Sequence, residues 1–270
     1  MERELLLFGG GTAAGLLGAL LGIGGGVLLV PLLTLGFGEA LPRSIGASLV
    51  AVVATSAGAG AHYVRIRRAD VRLGITLEIG SVTGAAAGGL LAGILNERLL
   101  AGLFAALMGY VGLTLLRRAI VPEDRAAIDA AVDAMAPDGH EAPVYRRRRL
   151  PLALGGSVGA GVISALLGVG GGIVKVPLMR LVMGVPLHIA TATSNFVLGI
   201  TAAAGAYAYL FRGDIDPNVA APLALGALTG SIAGARVAPR VDARWLAILF
   251  VVLAAWVALQ MGLRAAGIAA

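Results

Sequence analysis

The sequence predicts an all-α integral membrane protein made of two homologous repeats, each a glycine-broken helical hairpin followed by three transmembrane helices. Two observations carry that expectation. First, 58% of the 270 residues are hydrophobic and only 13% are charged, with a mean hydropathy of +0.91. Soluble domains carry about 25% charged residues. So few charges cannot cover so much apolar surface, and the solvent must be lipid. Second, GLLGALLGIGGGVLLVP at 15–31 returns as GVISALLGVGGGIVKVP at 161–177, an offset of 146 residues. At that offset Ser48 matches Ser194, Thr55 matches Thr201, Tyr63 matches Tyr209 and Asp70 matches Asp216. Gly80, Gly84 and Gly88 match Gly226, Gly230 and Gly234 without a gap. Such a register marks a duplicated unit.

The elements follow in order. A membrane helix needs about 20 apolar residues. Segments 42–63, 74–95, 99–116, 187–211, 219–238 and 244–263 meet that length. Segments 5–37 and 150–184 are apolar but are interrupted by GIGGG and GVGGG. Glycine in a helix interior costs about 1 kcal/mol against alanine, so each of these segments reads as two arms joined at a break. The second arms, 27–37 and 173–184, are about 12 residues, or about 18 Å. They are too short to cross, and a hairpin dipping to mid-membrane is the expected form. The opening MERELLLFGG has no basic leader and reads as the start of the first membrane segment. Repeat 1 therefore spans 1–118 and repeat 2 spans 150–270. Between them, 119–149 reads as a cytoplasmic linker with a short acidic amphipathic helix.

Arginine sets the orientation, since cytoplasmic loops are enriched in it. Arg65, Arg67, Arg68 and Arg72 put their loop inside. Arg117, Arg118, Arg125 and the run 146–149 do the same for the linker. In the second copy, Arg236, Arg240 and Arg244 lie inside, and RGDIDPN at 212–218 lies outside. The copies are then inverted, with both termini extracytoplasmic. The competing reading takes 5–37 and 150–184 as full crossings, giving eight spans and parallel copies.

The breaks are candidate binding elements. Broken, apolar segments in paired copies are the pattern of secondary transporters, whose half-helix N-termini face anionic groups at the bilayer midplane. Gly24, Gly25, Gly26 and Gly170, Gly171, Gly172 would let backbone N–H groups reach a ligand, since glycine has no Cβ. The alternative is tight helix crossing, which suits Gly80, Gly84, Gly88 and their partners better. Lys175 is the sole lysine and lies one turn past the second break, matched by Leu29. An intramembrane cation is a functional candidate by default, against snorkelling to the interface. Ser48, Ser194 and Asn195 offer donors to a dehydrated oxyanion, although serines also bond back to helix carbonyls. Thr191, Thr193 and Ser44 sit close by in sequence. Glu78, His62 and His188 could carry protons, but each lies near a predicted span end, and His140 falls in the linker.

The stretches GLLGALLGIGGGVLLVPLL, SIGASLVAVVATSAGA, GVISALLGVGGGIVKVPLM and HIATATSNFVLGITAAAGA resemble the sulfite exporter TauE/SafE family of transmembrane transporters. The resemblance covers almost the whole chain. It implies a transporter of sulfur-containing or organic anions, such as sulfite, sulfonates or sulfoacetate. It also implies conserved motifs at Gly22, Gly24–Gly26, Pro31 and Ser48, and at Gly168, Gly170–Gly172, Pro177 and Ser194. Where that family often has Gly-Thr-Ser, this chain has Gly46-Ala47-Ser48 and Ala192-Thr193-Ser194.

The expected function is therefore secondary-active anion transport by alternating access, with the anion held between the hairpin tips. Rivals are an anion channel and a membrane subunit without transport of its own. An enzyme is not expected, because no Ser–His or paired-carboxylate constellation sits mid-span. No cofactor is expected, and with no cysteine and three scattered histidines no metal site is either. Coupling to H+ or Na+ fits the class. Expected partners are the small anionic substrate, the lipid bilayer and, as one oligomeric option, a second copy in a homodimer. The net charge of +6 lies in short loops and does not point to nucleic acid. The expected location is a prokaryotic inner (cell) membrane.

Overall fold

A computed structural model describes residues 2–120, 149–238 and 243–268. The expected linker helix and His140 lie outside the described residues. Among the described residues the chain is helical, without strands. The elements are α1 (Glu2–Leu21), α2 (Gly26–Gly36), α3 (Leu41–Arg65), α4 (Val71–Ala92), α5 (Glu97–Ile120), α6 (Leu150–Leu167), α7 (Gly172–Pro177), α8 (Leu187–Phe211), α9 (Pro217–Val237) and α10 (Ala243–Ala265). Eight of these are long and apolar enough to cross a membrane. The protein is an all-α integral membrane protein.

The six long helices other than α1 and α6 start and end within four residues of segments 42–63, 74–95, 99–116, 187–211, 219–238 and 244–263. The broken segments differ in one respect. Their first arms, α1 and α6, have 20 and 18 residues and are long enough to cross by themselves. Only the second arms are short. Each of these passes from α-helix into a π-helical turn just after its proline, at Leu32–Gly36 and Leu178–Val182. Pro31 and Pro177 lack an N–H and so break the regular ladder there. A third π-helical turn, Ser56–Gly60, interrupts α3, whereas α8 runs as regular α-helix over the equivalent residues. Asp70 and Asp216 cap α4 and α9, each accepting a backbone N–H at 2.9 Å.

The chain divides into two compact units, and both draw on both copies. The larger contains α1 to α4 and α6 to α9. There the contacts repeat at the same offset as the sequence. α1 packs along α9, with Gly226 against the Phe8 carbonyl and Gly230 against that of Thr12. α4 packs along α6, with Gly80 against the Leu154 carbonyl and Gly84 against that of Val158. Small residues let these backbones touch, the packing device of membrane helices. α3 and α8 run antiparallel, with Gly46 beside Tyr209 and Gly60 beside Phe196. Two of the buried apolar clusters seat the short arms. One joins α2 to α1, α3 and α9 through Leu29, Leu33, Leu7, Ala51 and Leu223. The other joins α7 to α4, α6 and α8 through Val176, Leu77, Ala153 and Ile189.

The smaller unit pairs α5 with α10, also antiparallel, with Gly102 beside Ala265 and Gly112 beside Ala254. Phe104, Met108, Phe250 and Val257 are buried in it, while Val252 and Leu259 remain more than 60% exposed. Apolar side chains left open along a whole helix face suit hydrocarbon rather than water.

Candidate functional site

The two glycine breaks meet each other. Gly25 and Gly171 have φ of +74° and +78° and stand immediately before α2 and α7. That left-handed conformation is cheap only for glycine. It turns the chain sharply, so the arms of each break separate without a long loop. At the meeting point, a Cβ on Gly26 would lie 2.2 Å from the Gly168 carbonyl oxygen. A Cβ on Gly172 would lie 2.6 Å from that of Gly22. No other residue fits at either position. Val52 and Leu198, near the middle of α3 and α8, wall the tips on either side.

Both predicted serines stand at this junction. The Ser48 hydroxyl donates to the Gly168 carbonyl at 2.7 Å. The Ser194 hydroxyl donates to the Gly22 carbonyl at 3.3 Å. Each serine thus reaches the break of the other copy. Carbonyls at a helix C-terminus have no intrahelical donor, and in a membrane they must be satisfied from within the protein. Tyr63 and Tyr209 serve the same need one turn earlier, donating to Ala19 and Ala165. Asn195 joins them, its Nδ2 donating to the Ala19 carbonyl at 3.4 Å. Its Oδ1 is buried without a partner, as are the hydroxyls of Ser44 and Ser164.

Lys175 does not snorkel to the interface. It is fully buried, and its Nζ donates to Glu78 Oε2 at 2.5 Å and to Thr201 Oγ1 at 2.6 Å. Thr201 in turn donates to Glu78 Oε1. Three helices supply this cluster: α7 brings Lys175, α4 brings Glu78 and α8 brings Thr201. Glu78 is only 3% exposed, which overturns its expected position at a solvated span end. α4 begins at Val71, three residues earlier than predicted, and α6 packs along it. His62 is half-buried beside Tyr63, edge-on to its ring. The repeat-related place does not echo this cluster, since Leu29, Ala224 and Thr55 occupy the matching positions. Thr55 bonds only back to its own helix, at the Ala51 carbonyl.

The structure therefore gathers Gly24–Gly26, Gly170–Gly172, Ser48 and Ser194 at one junction, with Asn195 beside it and Lys175 in a separate polar cluster. Sequence reasoning passed over Thr201 and Ser164. The repeat match of Thr201 with Thr55 was visible, but nothing in it distinguished a bond to a distant lysine from a bond to its own helix. A 590 Å³ cleft lined by Val53, Ser56, Ala57, Arg65, Phe196 and Ile200 among others lies to one side. Its walls are mostly apolar and none of the tip glycines lines it. Among the described residues no group of three or more His, Asp or Glu could hold a metal ion.

Apolar helices enclosing two broken ones and a buried ion pair define a polytopic α-helical membrane protein built around an internal polar site. A family model described as Sulfite exporter TauE/SafE matches residues 7–261, and the chain belongs to that family of membrane transporters. It is 28% identical over 235 residues to the probable membrane transporter protein YunE of Bacillus subtilis strain 168, covering 84% of this chain and 85% of that one. It is 30% identical over 207 residues to the probable membrane transporter protein MJ0441 of Methanocaldococcus jannaschii, covering 74% and 70%. No solved structure matches it.

Proposed function

We propose that this chain is a secondary-active transporter of small sulfur-containing or organic anions, of the sulfite, sulfonate and sulfoacetate class. The observation that carries the reading is the meeting of the two breaks, Gly26 against Gly168 and Gly172 against Gly22. The first N–H groups of α2 and α7 have no intrahelical partner, and both sets converge on one buried place. Helix N-termini also carry partial positive charge, so an anion that parts the tips gains donors from both copies. Ser48, Ser194 and Asn195 stand ready to turn their polar groups from backbone to ligand. Lys175, whose backbone N–H bonds to the Gly171 carbonyl one turn back at the tip, supplies the compensating cation from its neighbouring cluster. The substrate class follows the name of the family.

The repeats are read as inverted. α3 and its counterpart α8 run antiparallel. If α6 and α7 together made one crossing, the chain would enter both helices from the same face, and they would run parallel. A hairpin that returns to its own face removes that conflict. Arginine then puts the linker 119–149 in the cytoplasm and both termini outside, in a prokaryotic inner membrane. Because each compact unit mixes helices of both copies, the bodies that move during alternating access are not the two repeats themselves. Parting and closing of the tips is the step that switches access.

The test is thermal stability of the detergent-purified protein against sulfite, sulfate, thiosulfate, sulfoacetate, taurine and small carboxylates. A ligand at a hundredfold excess over its Kd stabilises by about 2.7 kcal/mol. A selective rise for a sulfur oxyanion, with saturable and accumulating flux in liposomes, is the expected outcome. Flux that never saturates and only runs downhill would make the protein a channel.

A further inference from the structure

We propose that Glu78, Lys175 and Thr201 form the coupling site, and that the coupling ion is a proton which Glu78 takes up when an anion replaces it at Lys175. The inference rests on the anion-transport reading above and adds the ion, the residue that carries it and the stoichiometry.

The cluster is not needed to build the fold. The repeat-related positions Leu29, Ala224 and Thr55 hold no charge, yet α2 sits among α1, α3 and α9 as α7 sits among α6, α8 and α4. Burying two charges is costly even when they are paired, and well-packed apolar residues often do as well or better. An ion pair at only one of two repeat-related places, on an otherwise repeated scaffold, therefore calls for a task beyond packing. Intramembrane ionisable groups mark ion pathways and proton relays.

Charge balance identifies that task. Lys175 and Glu78 are 0% and 3% exposed and neutralise each other at 2.5 Å. An anion that takes Lys175 leaves the Glu78 carboxylate alone in a low-dielectric interior, where an unpaired charge is not tolerated. A proton from the same aqueous face, bound at a Glu78 carboxylate oxygen, removes that charge. Thr201 is suited to both states: it now accepts from Lys175 and donates to Glu78. With Glu78 protonated, its hydroxyl can accept from the acid instead. On release of the anion the proton leaves and the ion pair re-forms. One proton accompanies each anion. A metal cation would require a shell of oxygen ligands. Here a single hydroxyl bonds to Glu78, and no acidic or histidine cluster joins it among the described residues.

The surrounding elements bring no competing titratable group. α6 has none, and α7 has Lys175 alone. On α4, Arg72 is exposed near the start of the helix. On α8, His188 lies in the first turn, Tyr207 is exposed, and the Tyr209 hydroxyl is engaged by Ala165. Arg180 is half-buried on the π-helical turn beyond α7.

The experiment uses the full chain in liposomes with an internal pH dye and labelled sulfite, sulfoacetate or thiosulfate. With the outside acidic, wild type should accumulate anion at least tenfold and acidify the lumen in step. E78Q should still exchange labelled for unlabelled anion but accumulate none. The double variant K175L/E78A, which copies the repeat-related place, should melt as a folded protein and lose accumulation as well. Wild-type flux that is saturable yet indifferent to the pH gradient overturns the proton site and leaves the transporter standing. Undiminished accumulation by E78Q does the same; if E78Q does not fold, undiminished accumulation by the folded double variant does so. Absence of saturable wild-type flux with every anion overturns both.

Discussion

Ser48 and Gly168 are 120 residues apart in the chain, yet the serine hydroxyl donates to the glycine carbonyl at 2.7 Å. The bond ties the span after the first break to the tip of the second. Its counterpart from Ser194 to Gly22 is longer, at 3.3 Å. The two copies are thus clasped unequally at the point where the tips touch.

Ser48→Ala should cost about 1–3 kcal/mol, because it leaves a buried carbonyl without its donor. Ser194→Ala should cost less, in keeping with its longer bond. Thermal melts of both variants in the same detergent check the order.

Gly26→Ala should disable transport more severely than Gly159→Ala. A methyl at Gly26 collides with the Gly168 carbonyl, whereas nothing lies within 4 Å of one at Gly159. Gly26 opens α2 and Gly159 lies inside α6, so the helix-propensity gain falls on Gly159→Ala and only widens the expected difference. Initial uptake rates at equal amounts of folded protein are the readout.

Lys175→Leu alone should destabilise by about 3–5 kcal/mol, because it strands a buried carboxylate. Adding Glu78→Ala should recover much of that loss. A double-mutant cycle on melting curves measures the coupling. Two strictly additive losses would contradict the ion pair.

Cysteine is absent from the chain, so single-cysteine labelling needs no background removal. Arg72 and Asn218 occupy equivalent, exposed positions near the starts of α4 and α9. Arg72→Cys should react with an impermeant maleimide only from the cytoplasmic side, and Asn218→Cys only from outside. Labelling of both from one face would favour the eight-crossing layout.

The apolar spans were legible because about 20 consecutive hydrophobic residues have few soluble uses. The breaks were legible because three glycines in succession have no helical purpose. The partners of Lys175 were not, since a bond spanning 97 residues leaves no local trace. Glu78 was misplaced for a smaller reason. Helix start signals are softer than hydropathy, and the Asp70 cap starts α4 three residues early, which leaves Glu78 about two turns inside the helix instead of one. The π-helical turn in α3 was likewise hidden, as SAGAG holds only small residues and no proline to mark a change of helix type.

The crossed pairing of α1 with α9 and of α4 with α6 has a consequence for heredity. Neither half of the gene encodes a closed helix pair. Cut within 121–148, the products would each expose a glycine-lined face that only the other half can cover. They would be required in equal numbers, like two subunits of one complex. A change at Gly15 is answered not by a neighbour in its own half but at Ala227, whose backbone it touches. A substitution on one of these faces is therefore met by the other half of the chain.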